Sequence, residues 1–283
     1  MSERKDQTHA FLLILDSNLR YQAIALLLNI LETQSEGTRI EVFYVYDNEA
    51  DLGTFVELIN KMVSSFELNI GEDLVKVKSI SRAEADDATS SFSIIAGNPI
   101  TRTSFLRLFF TRWLSRDIDR ILYLDIDILI NSNLQELFEK KFSTPICAEL
   151  NVPEDLAIGK HLEKHNAPYF NSGVLLVDVE NWKKLNLEGI FIEVGSQQAF
   201  PYLDQDILNI VFKNNWTRLG REYNYLHLFD SNQIDPSYSA FPKVVHFAGA
   251  KPWKQSLLTQ YVAQYRKNFN RIRHLDALTS DLK

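Results

Sequence analysis

The chain has 283 residues, of which 45% are hydrophobic and 24% charged, and its net charge is −7 with a pI near 5.4. This composition is that of a globular protein with a large core. The acidic balance argues against nucleic acid as the main partner, because phosphate binding needs a basic surface. The single Cys147 excludes an intramolecular disulfide and a multi-cysteine metal site. We find neither a signal peptide nor a membrane span in the sequence, and expect a cytoplasmic location.

The N-terminal half alternates between predicted strands and predicted helices. Apolar and β-branched runs predict strands at 11–15, 39–46 and 74–80, and helices at 21–31, 52–66 and 101–114. The polar segment 81–99 is predicted to be a mobile loop. The alternation predicts an α/β fold whose sheet is parallel at least in this half, with ligands beyond the carboxyl ends of the strands.

The segment Arg120–Asn131 contains the sequence Tyr-Leu-Asp-Ile-Asp in an otherwise apolar run, which predicts a buried central strand. An unpaired carboxylate is costly inside such a strand. If Asp125 and Asp127 lie at its end, the period of two places them on one side. Two adjacent carboxylates suit a hard divalent cation. The alternative is an ordinary turn between a strand and a loop.

The C-terminal half continues the pattern with shorter elements. We predict helices at 133–138, 155–165 and 204–212, and strands at 145–150, 169–177 and 243–247. In the tail 261–273, aromatic and aliphatic residues recur at helical spacing beside basic residues. This stripe either contacts an anionic membrane surface or packs onto the rest of the protein. We expect one domain over residues 1–255 and a helical tail over 256–283.

Several segments together resemble glycosyltransferase family 8, which contains glycogenin and bacterial lipopolysaccharide galactosyl- and glucosyltransferases. They occur in the family's order: Leu15-Asp16-Ser17-Asn18, Phe105-Leu106-Arg107-Leu108, Tyr123-Leu124-Asp125-Ile126-Asp127, Phe170-Asn171-Ser172-Gly173-Val174, Asp204-Gln205-Asp206 and His246-Phe247-Ala248-Gly249-Ala250-Lys251-Pro252-Trp253. Two details depart from the family pattern. Leu19 stands where the family often has a base-stacking Tyr, with Tyr21 as a substitute, and the spacing from Gly249 to Lys251 is one residue shorter than usual.

The resemblance implies a GT-A fold, in which a Rossmann-like mixed sheet is flanked by helices, here with a small C-terminal helical appendage. It implies transfer of a hexose from UDP-glucose or UDP-galactose, with retention of configuration. The cofactor is expected to be Mn²⁺, with Mg²⁺ as the other candidate. The implied acceptor is a saccharide or glycolipid used in lipopolysaccharide or other cell-surface glycan synthesis. The enzyme is then expected in the cytoplasm, with a peripheral position on the inner membrane face through the tail as a further expectation.

The resemblance also implies roles for individual residues. Asp125, Asp127 and His246 correspond to the metal ligands. The implied donor-binding set is Asp16, Asn18, Arg107, Asp125, Ile126, Asp127, Asn171, Gly173, Asp204, Gln205, His246, Gly249 and Lys251. The candidate catalytic residues are Asn171, Asp204, Gln205 and Asp206. The sequence leaves open whether Gln205, Asp206 or no residue is a nucleophile, and we favour a front-face reaction assisted by the leaving phosphate. Glu149 is a candidate for facing the acceptor.

Two other classes of protein remain as alternatives. Haloacid-dehalogenase-like phosphatases also place an Asp-x-Asp motif after an apolar strand, but there it ends the first strand of the chain. A catalytically silent UDP-sugar-binding protein would share the donor-binding residues with an enzyme. Release of UDP in the presence of Mn²⁺ separates both from a transferase.

Overall fold

The computed structural model describes residues 8–68, 74–97, 101–151, 168–227, 241–254 and 259–280. Within these ranges the strands are β1 (His9–Asp16), β2 (Arg39–Tyr46), β3 (Val75–Ser81), β4 (Arg120–Leu124), β5 (Ile128–Ile130), β6 (Ile146–Leu150), β7 (Phe170–Asp178), β8 (Thr217–Arg218), β9 (Tyr225–Leu226) and β10 (Val244–His246). The α-helices in the same ranges are α1 (Arg20–Thr33), α2 (Glu49–Ser65), α3 (Arg82–Ala88), α4 (Gln135–Glu139), α5 (Val179–Lys184), α6 (Leu187–Gly195), α7 (Asp204–Phe212) and α8 (Gln260–Ser280). The helix predicted at 155–165 lies outside the described residues.

The main sheet of the described chain has seven strands in the order β3-β2-β1-β4-β7-β6-β8. The pairs β3–β2, β2–β1 and β1–β4 are parallel, as the alternation of strands and helices predicts, while β7 runs antiparallel to both β4 and β6. The sheet is therefore mixed and flanked by helices, and the predicted fold class is confirmed.

A second, smaller sheet within the described residues has the order β5-β10-β9. The apolar run of the central segment divides between the two sheets, with β4 in the large one and β5 in the small one. The sequence predicted one central strand with the two aspartates at its end, and β4 does end at Leu124, but the separate strand β5 was not predicted because nothing in the apolar pattern marks the change of sheet. Asp125 and Asp127 lie in the turn between the two strands.

The core lies on both faces of the main sheet, because β1 and its neighbours alternate their side chains between two apolar clusters. One face, with Leu13 and Leu15, packs against α1, α2 and the C-terminal helix α8. The other face, with Leu12 and Ile14, packs against α6, α7 and a 3₁₀ helix at Arg102–Arg112. The segment predicted as a helix at 101–114 is thus helical with tighter turns, and its residues 105–110 are all buried.

The described part of the segment predicted as a polar loop, residues 81–97, differs from that prediction. Its first part forms α3, which Ser81 caps by accepting a hydrogen bond from the backbone N–H of Glu84. Ala85, Thr89 and Phe92 are buried against the rest of the protein. Helix α3 is short and buries only Ala85, which is too little to show as a periodic apolar pattern in the sequence.

The predicted tail helix forms as α8 and packs on the domain. Val262, Tyr265 and Ile272 are buried, and Ile272 joins the core cluster around α1. Arg271 pairs with Glu32 of α1 at 2.7 Å. The aromatic stripe therefore faces the protein, which agrees with the packing alternative and leaves a membrane contact through this stripe without support. None of the described helices combines the length and apolarity needed to cross a membrane.

Candidate functional site

The two aspartates and the histidine singled out in the sequence converge at the junction of the two sheets. Pairing of β10 with β5 sets His246 opposite Ile128, directly after the Asp-x-Asp turn. The His246 Nε2 atom lies 3.6 Å from Asp125 Oδ2 and 3.4 Å from Asp127 Oδ1. One ligand atom from each residue lies within 4.8 Å of the other two, which is the only such group among the described residues.

Gly173 of β7 makes this convergence possible. The backbone N–H of Asp125 donates to the Gly173 carbonyl at 2.8 Å, so these two segments of the chain approach closely. A Cβ atom at position 173 would lie 2.8 Å from Asp125 Oδ2 and would collide with the His246 ring. The sequence requires glycine here because any side chain would occupy the space between two candidate ligands.

Lys251 introduces a positive charge at the edge of the cluster. Its Nζ pairs with Asp127 Oδ2. Burial lowers the pKa of the Lys251 ammonium, but the carboxylates of Asp127 and Asp125 outweigh burial and leave that pKa above its ordinary value. Burial by itself would raise the pKa of the Asp127 carboxyl. Lys251 and His246 outweigh burial and hold that pKa well below its usual range. Asp127 is therefore ionised at neutral pH and can serve as an anionic ligand.

Arg107 of the 3₁₀ helix links this cluster to α7. Its guanidinium donates to Asp125 Oδ1 at 2.9 Å and to the Ser172 carbonyl at 2.8 Å, and lies 2.9 Å from Asp204 Oδ2. The side chain is buried rather than exposed on the surface of its helix. Arg107 thus forms ion pairs with two carboxylates, and these pairs connect the cluster to α7.

Asp204 is the first residue of α7, and Leu203 holds the N-cap position before it. Arg107 Nε is near Asp204 Oδ2 but points its hydrogen at the Ser104 carbonyl, and Asp204 Oδ2 accepts no hydrogen bond from the described residues. Burial, together with the nearby Asp125 and against the effect of Arg107, raises the pKa of Asp204 to about 6. Asp204 Oδ2 is thus a buried carboxylate oxygen that is paired with Arg107 and receives no hydrogen bond from the described residues.

Gln205 and Asn171 form a buried amide network. Gln205 Oε1 accepts from the Ser172 N–H at 3.0 Å and from Asn171 Nδ2 at 3.2 Å. Gln205 Nε2 donates to the Tyr169 hydroxyl at 3.0 Å, and that hydroxyl donates to Asp206 Oδ1 at 2.6 Å. Each amide is consequently held in one orientation.

Asp206 lies behind this network. Its side chain is fully buried, and its second carboxylate oxygen accepts from the Tyr202 N–H at 2.9 Å. The structure therefore gives Asp206 the position of a support for Tyr169 and Gln205, and it argues against contact of Asp206 with a substrate.

The residues predicted to hold the nucleoside lie at the end of β1. Asp16 is buried and accepts from the Asn18 N–H and from the Thr103 hydroxyl, while the Asn18 side chain is exposed. Tyr21 hydrogen-bonds Asp276 of α8 through its hydroxyl, which argues against Tyr21 as a substitute base-stacking residue. Asp16 and Asn18 remain candidates by position.

Three further predicted residues have different surroundings. Ile126 is buried within the turn, whereas Gly249 is exposed and has open space around its Cα. Glu149 is fully buried, where it pairs with Arg218 and accepts from the Gly220 N–H at 2.9 Å. Glu149 is therefore enclosed by the protein and does not have the exposure expected of an acceptor contact.

Sequence reasoning missed Asn224, which touches two site residues. It follows a short 3₁₀ turn at Arg221–Tyr223 and is 1% exposed. Its side chain lies between Asn171 and His246. No motif surrounds this asparagine, so the sequence contains no signal that distinguishes it from other asparagines.

The residues at the junction fit a divalent cation. Two carboxylates and an imidazole are ligand types that Mn²⁺ and related metals accept. The space between the ligands is kept open by Gly173, as a Cβ there would fill it. Lys251 beside the cluster adds a charge suited to an anionic group such as a diphosphate.

This chain resembles glycosyltransferases in sequence. A family model described as glycosyl transferase family 8 matches residues 27–256. The lipopolysaccharide 1,2-glucosyltransferase of Escherichia coli K12 is 28% identical over 181 residues, covering 59% of this chain and 53% of that protein. Glycosyltransferase GlyF of Streptococcus pneumoniae serotype 4 is 31% identical over 194 residues, covering 65% of this chain and 46% of that protein. The chain thus spans about half the length of these two curated relatives.

Solved structures show the same fold at lower identity. The galactosyltransferase LgtC, solved in complex with donor and acceptor sugar analogs, superposes with a TM-score of 0.70 at 20% identity, covering 94% of this chain and 96% of LgtC. Another LgtC structure carries an active-site substitution of Gln by Glu.

Proposed function

Because this chain belongs to glycosyltransferase family 8, we propose that it transfers glucose or galactose from a UDP-sugar to a saccharide acceptor, with Mn²⁺ as cofactor and with retention of configuration. The observation that carries the proposal is the convergence of Asp125, Asp127 and His246 beside Lys251. The position of the Asp-x-Asp motif, after the fourth strand and not the first, speaks against the phosphatase alternative.

We assign the cation to Asp125, Asp127 and His246. When bound, it would neutralise charge on the diphosphate and so make UDP a better leaving group. Asp127 is held ionised by its surroundings. Lys251 is half-buried and already adjacent to the ligands, so its ammonium can contact a diphosphate oxygen without a large movement.

We propose that the sugar binds beside Asp204 and the Asn171–Gln205 network, and we call this region the sugar pocket. Asp204 Oδ2 is paired with Arg107 but accepts no hydrogen bond from the described residues, so a sugar hydroxyl can donate to it. The rigid orientation of Gln205 suits recognition of polar sugar groups. The active-site glutamine that was substituted in LgtC is consistent with a glutamine in such a role.

The surroundings of Asp206 bear on the chemical step. This carboxylate is fully buried and bound by Tyr169 and Tyr202, so it is poorly placed to attack an anomeric carbon. We therefore favour the front-face reaction. The bond from the anomeric carbon to the β-phosphate oxygen breaks, and its electron pair goes to the phosphate. The acceptor hydroxyl bonds to the carbon on the same face, and its proton passes to the leaving phosphate oxygen.

The acceptor is proposed from the relatives alone. A lipopolysaccharide 1,2-glucosyltransferase is among them, which favours a saccharide or glycolipid acceptor in cell-surface glycan synthesis. Such acceptors are made at the cytoplasmic face of the membrane, so we propose a cytoplasmic enzyme that meets its acceptor there.

A donor screen tests the proposal. UDP-glucose, UDP-galactose and their N-acetyl forms are each incubated with the protein, with Mn²⁺ or with EDTA, and the released UDP is measured. We expect Mn²⁺-dependent release from one or both hexose donors and none with EDTA. Binding of UDP without release from any donor would support the silent binding protein instead. Full release in EDTA would contradict the metal assignment.

A further inference from the structure

Asn224 connects a candidate metal ligand to the amide network of the sugar pocket. It immediately precedes β9, which pairs in parallel with β10 and sets Leu226 opposite His246. The His227 N–H also donates to the His246 carbonyl at 2.8 Å, so the backbone on both sides of this contact is held. A buried asparagine in such a place must satisfy its amide with protein partners.

The orientation of Asn171 is determined by the backbone. The N–H of Gly173 can only donate, and it lies 2.9 Å from one terminal atom of Asn171. That atom must therefore be the oxygen, Oδ1, and the other is Nδ2, which faces Gln205 Oε1. Gln205 is oriented independently, because its Oε1 accepts from the Ser172 N–H. The backbone N–H groups of Gly173 and Ser172 thus fix the two amides independently, and the resulting orientations are compatible with each other.

The orientation of Asn224 follows from that of Asn171. Asn171 Oδ1 is an acceptor and lies 3.0 Å from Asn224, so the Asn224 atom facing it must be the donor Nδ2. The remaining terminal atom of Asn224 is its carbonyl oxygen, which lies 3.1 Å from His246 Nδ1. An oxygen at this distance accepts a hydrogen bond only if Nδ1 carries a hydrogen.

We propose that Asn224 is a positioning residue that keeps the hydrogen of His246 on Nδ1 and so reserves Nε2 as the nitrogen that binds the cation. Nε2 is the nitrogen that faces both aspartates. A hydrogen-bond acceptor on the nitrogen that does not bind the metal fixes the plane of the imidazole and makes the other nitrogen a more basic ligand. The inference rests on the proposed function, since it names a further residue of the same metal site.

These hydrogen bonds form a connected series, which we call the relay, and it joins two parts of the site. It runs from the Gly173 N–H through Asn171 and Asn224 to His246, and Asn171 at the same time binds Gln205. A change at Asn224 therefore reaches the metal ligand directly and the sugar pocket through one further hydrogen bond. A purely structural asparagine would affect stability without this selectivity.

Three variants test the role of Asn224 in metal binding. Asn224→Leu removes both hydrogen bonds, and Asn224→Asp keeps an oxygen for His246 Nδ1. Asn29→Leu is the matched control, because Asn29 is also buried and bonds both backbone groups of Ile130 but does not touch the cluster. The Mn²⁺ dissociation constant and the melting temperature are measured for each.

We expect Asn224→Leu to weaken Mn²⁺ binding about 10- to 100-fold. Asn224→Asp should bind clearly more tightly than Asn224→Leu, and Asn29→Leu should bind as the wild type does even if it melts earlier. Wild-type affinity in Asn224→Leu, or equal loss in Asn224→Leu and Asn224→Asp, would overturn the proposal.

Nitrogen NMR of the metal-free protein tests the relay without reference to metal binding or activity. Histidine is labelled with ¹⁵N, and the His246 signals are identified by their absence from His246→Gln. We expect a protonated Nδ1 in the wild type, and loss of this preference in Asn224→Leu. A bare Nδ1 in the wild type would overturn the proposal. If the wild type shows a protonated Nδ1 but binds no Mn²⁺, the proposed metal-dependent function fails while the relay stands.

Discussion

At the scale of single residues, the site depends on one position without a side chain. Gly173 contributes only its backbone, yet its carbonyl accepts from Asp125 and its N–H orients Asn171. The sequence placed Gly173 in a family motif without a physical reason for glycine. The reason is the close approach of β7 to the His246 ring, which depends on the pairing of three strands from distant parts of the chain and cannot be read from local sequence.

Gly173→Ala is expected to reduce the affinity for Mn²⁺ at least about tenfold, because the new methyl group must displace His246 or Asp125 from the cluster. Gly53→Ala is the control, since Gly53 lies in α2 with open space around it. The control should bind Mn²⁺ normally and gain up to about 1 kcal/mol in stability. Calorimetric titration measures the affinity, and wild-type binding by Gly173→Ala would contradict the account of this position.

Asp204 predicts a pH dependence of stability in the metal-free protein. Its folded pKa, raised to about 6 by burial, lies above the unfolded value of 3.8. The folded state therefore binds more protons than the unfolded state between these values, so this residue's contribution to stability falls as the pH rises from about 4 to about 7.

Asp204→Asn removes that titration. The free energy of unfolding of the variant relative to the wild type should therefore increase from pH 4 to pH 7, by an amount on the order of 3 kcal/mol for a shift of about two pKa units. Urea unfolding in EDTA at several pH values measures the difference. A difference that is constant with pH would show that burial does not disfavour the ionised form of Asp204.

At the scale of elements, the sequence predicted the long apolar strands well and the junctions poorly. The bounds of β1, β2 and β7 differ from prediction by a few residues at most, because their side chains are buried on both faces and form uninterrupted apolar runs. The division of one apolar run into β4 and β5 was missed, since it is decided by the pairing of β5 with β10, more than a hundred residues away. The position of Asn224 was missed for the same reason, since its partners Asn171 and His246 come from distant segments, whereas α3 was missed because it is short and buries only Ala85.

The C-terminal helix α8 should contribute to the stability of the whole domain. Ile272→Ala is expected to cost about 2–5 kcal/mol, because Ile272 is fully buried in the cluster around α1. Lys267→Ala, on the exposed face of the same helix, should change stability by less than about 0.5 kcal/mol. Urea unfolding compares the two. Equal and small effects would mean that α8 does not pack on α1 in solution and that its stripe is available to other surfaces.

At the scale of the whole molecule, the site is assembled where the large sheet ends and the small sheet begins. The residues of the candidate site come from the ends of β4 and β10, from β7 and α7, and from the 3₁₀ helix that carries Arg107, while Asp16 at the end of β1 stays a candidate by position. The family motifs named most of the residues that the structure brings together here, and the roles of those residues stay predictions. The hydrogen bonds between them could not be predicted, because amide and carboxylate side chains acquire partners only when distant segments meet.

The central claim is that Asp125, Asp127 and His246 form one metal site that serves a UDP-sugar. The most direct test is a calorimetric titration of Mn²⁺ in the presence of UDP, on the wild type, Asp127→Asn and Asp86→Asn. Asp86 is exposed on α3 and serves as the control for loss of a carboxylate. We expect one Mn²⁺ site in the wild type and in Asp86→Asn, and loss of measurable binding in Asp127→Asn with the fold intact by circular dichroism. Undiminished Mn²⁺ binding by Asp127→Asn would contradict the account.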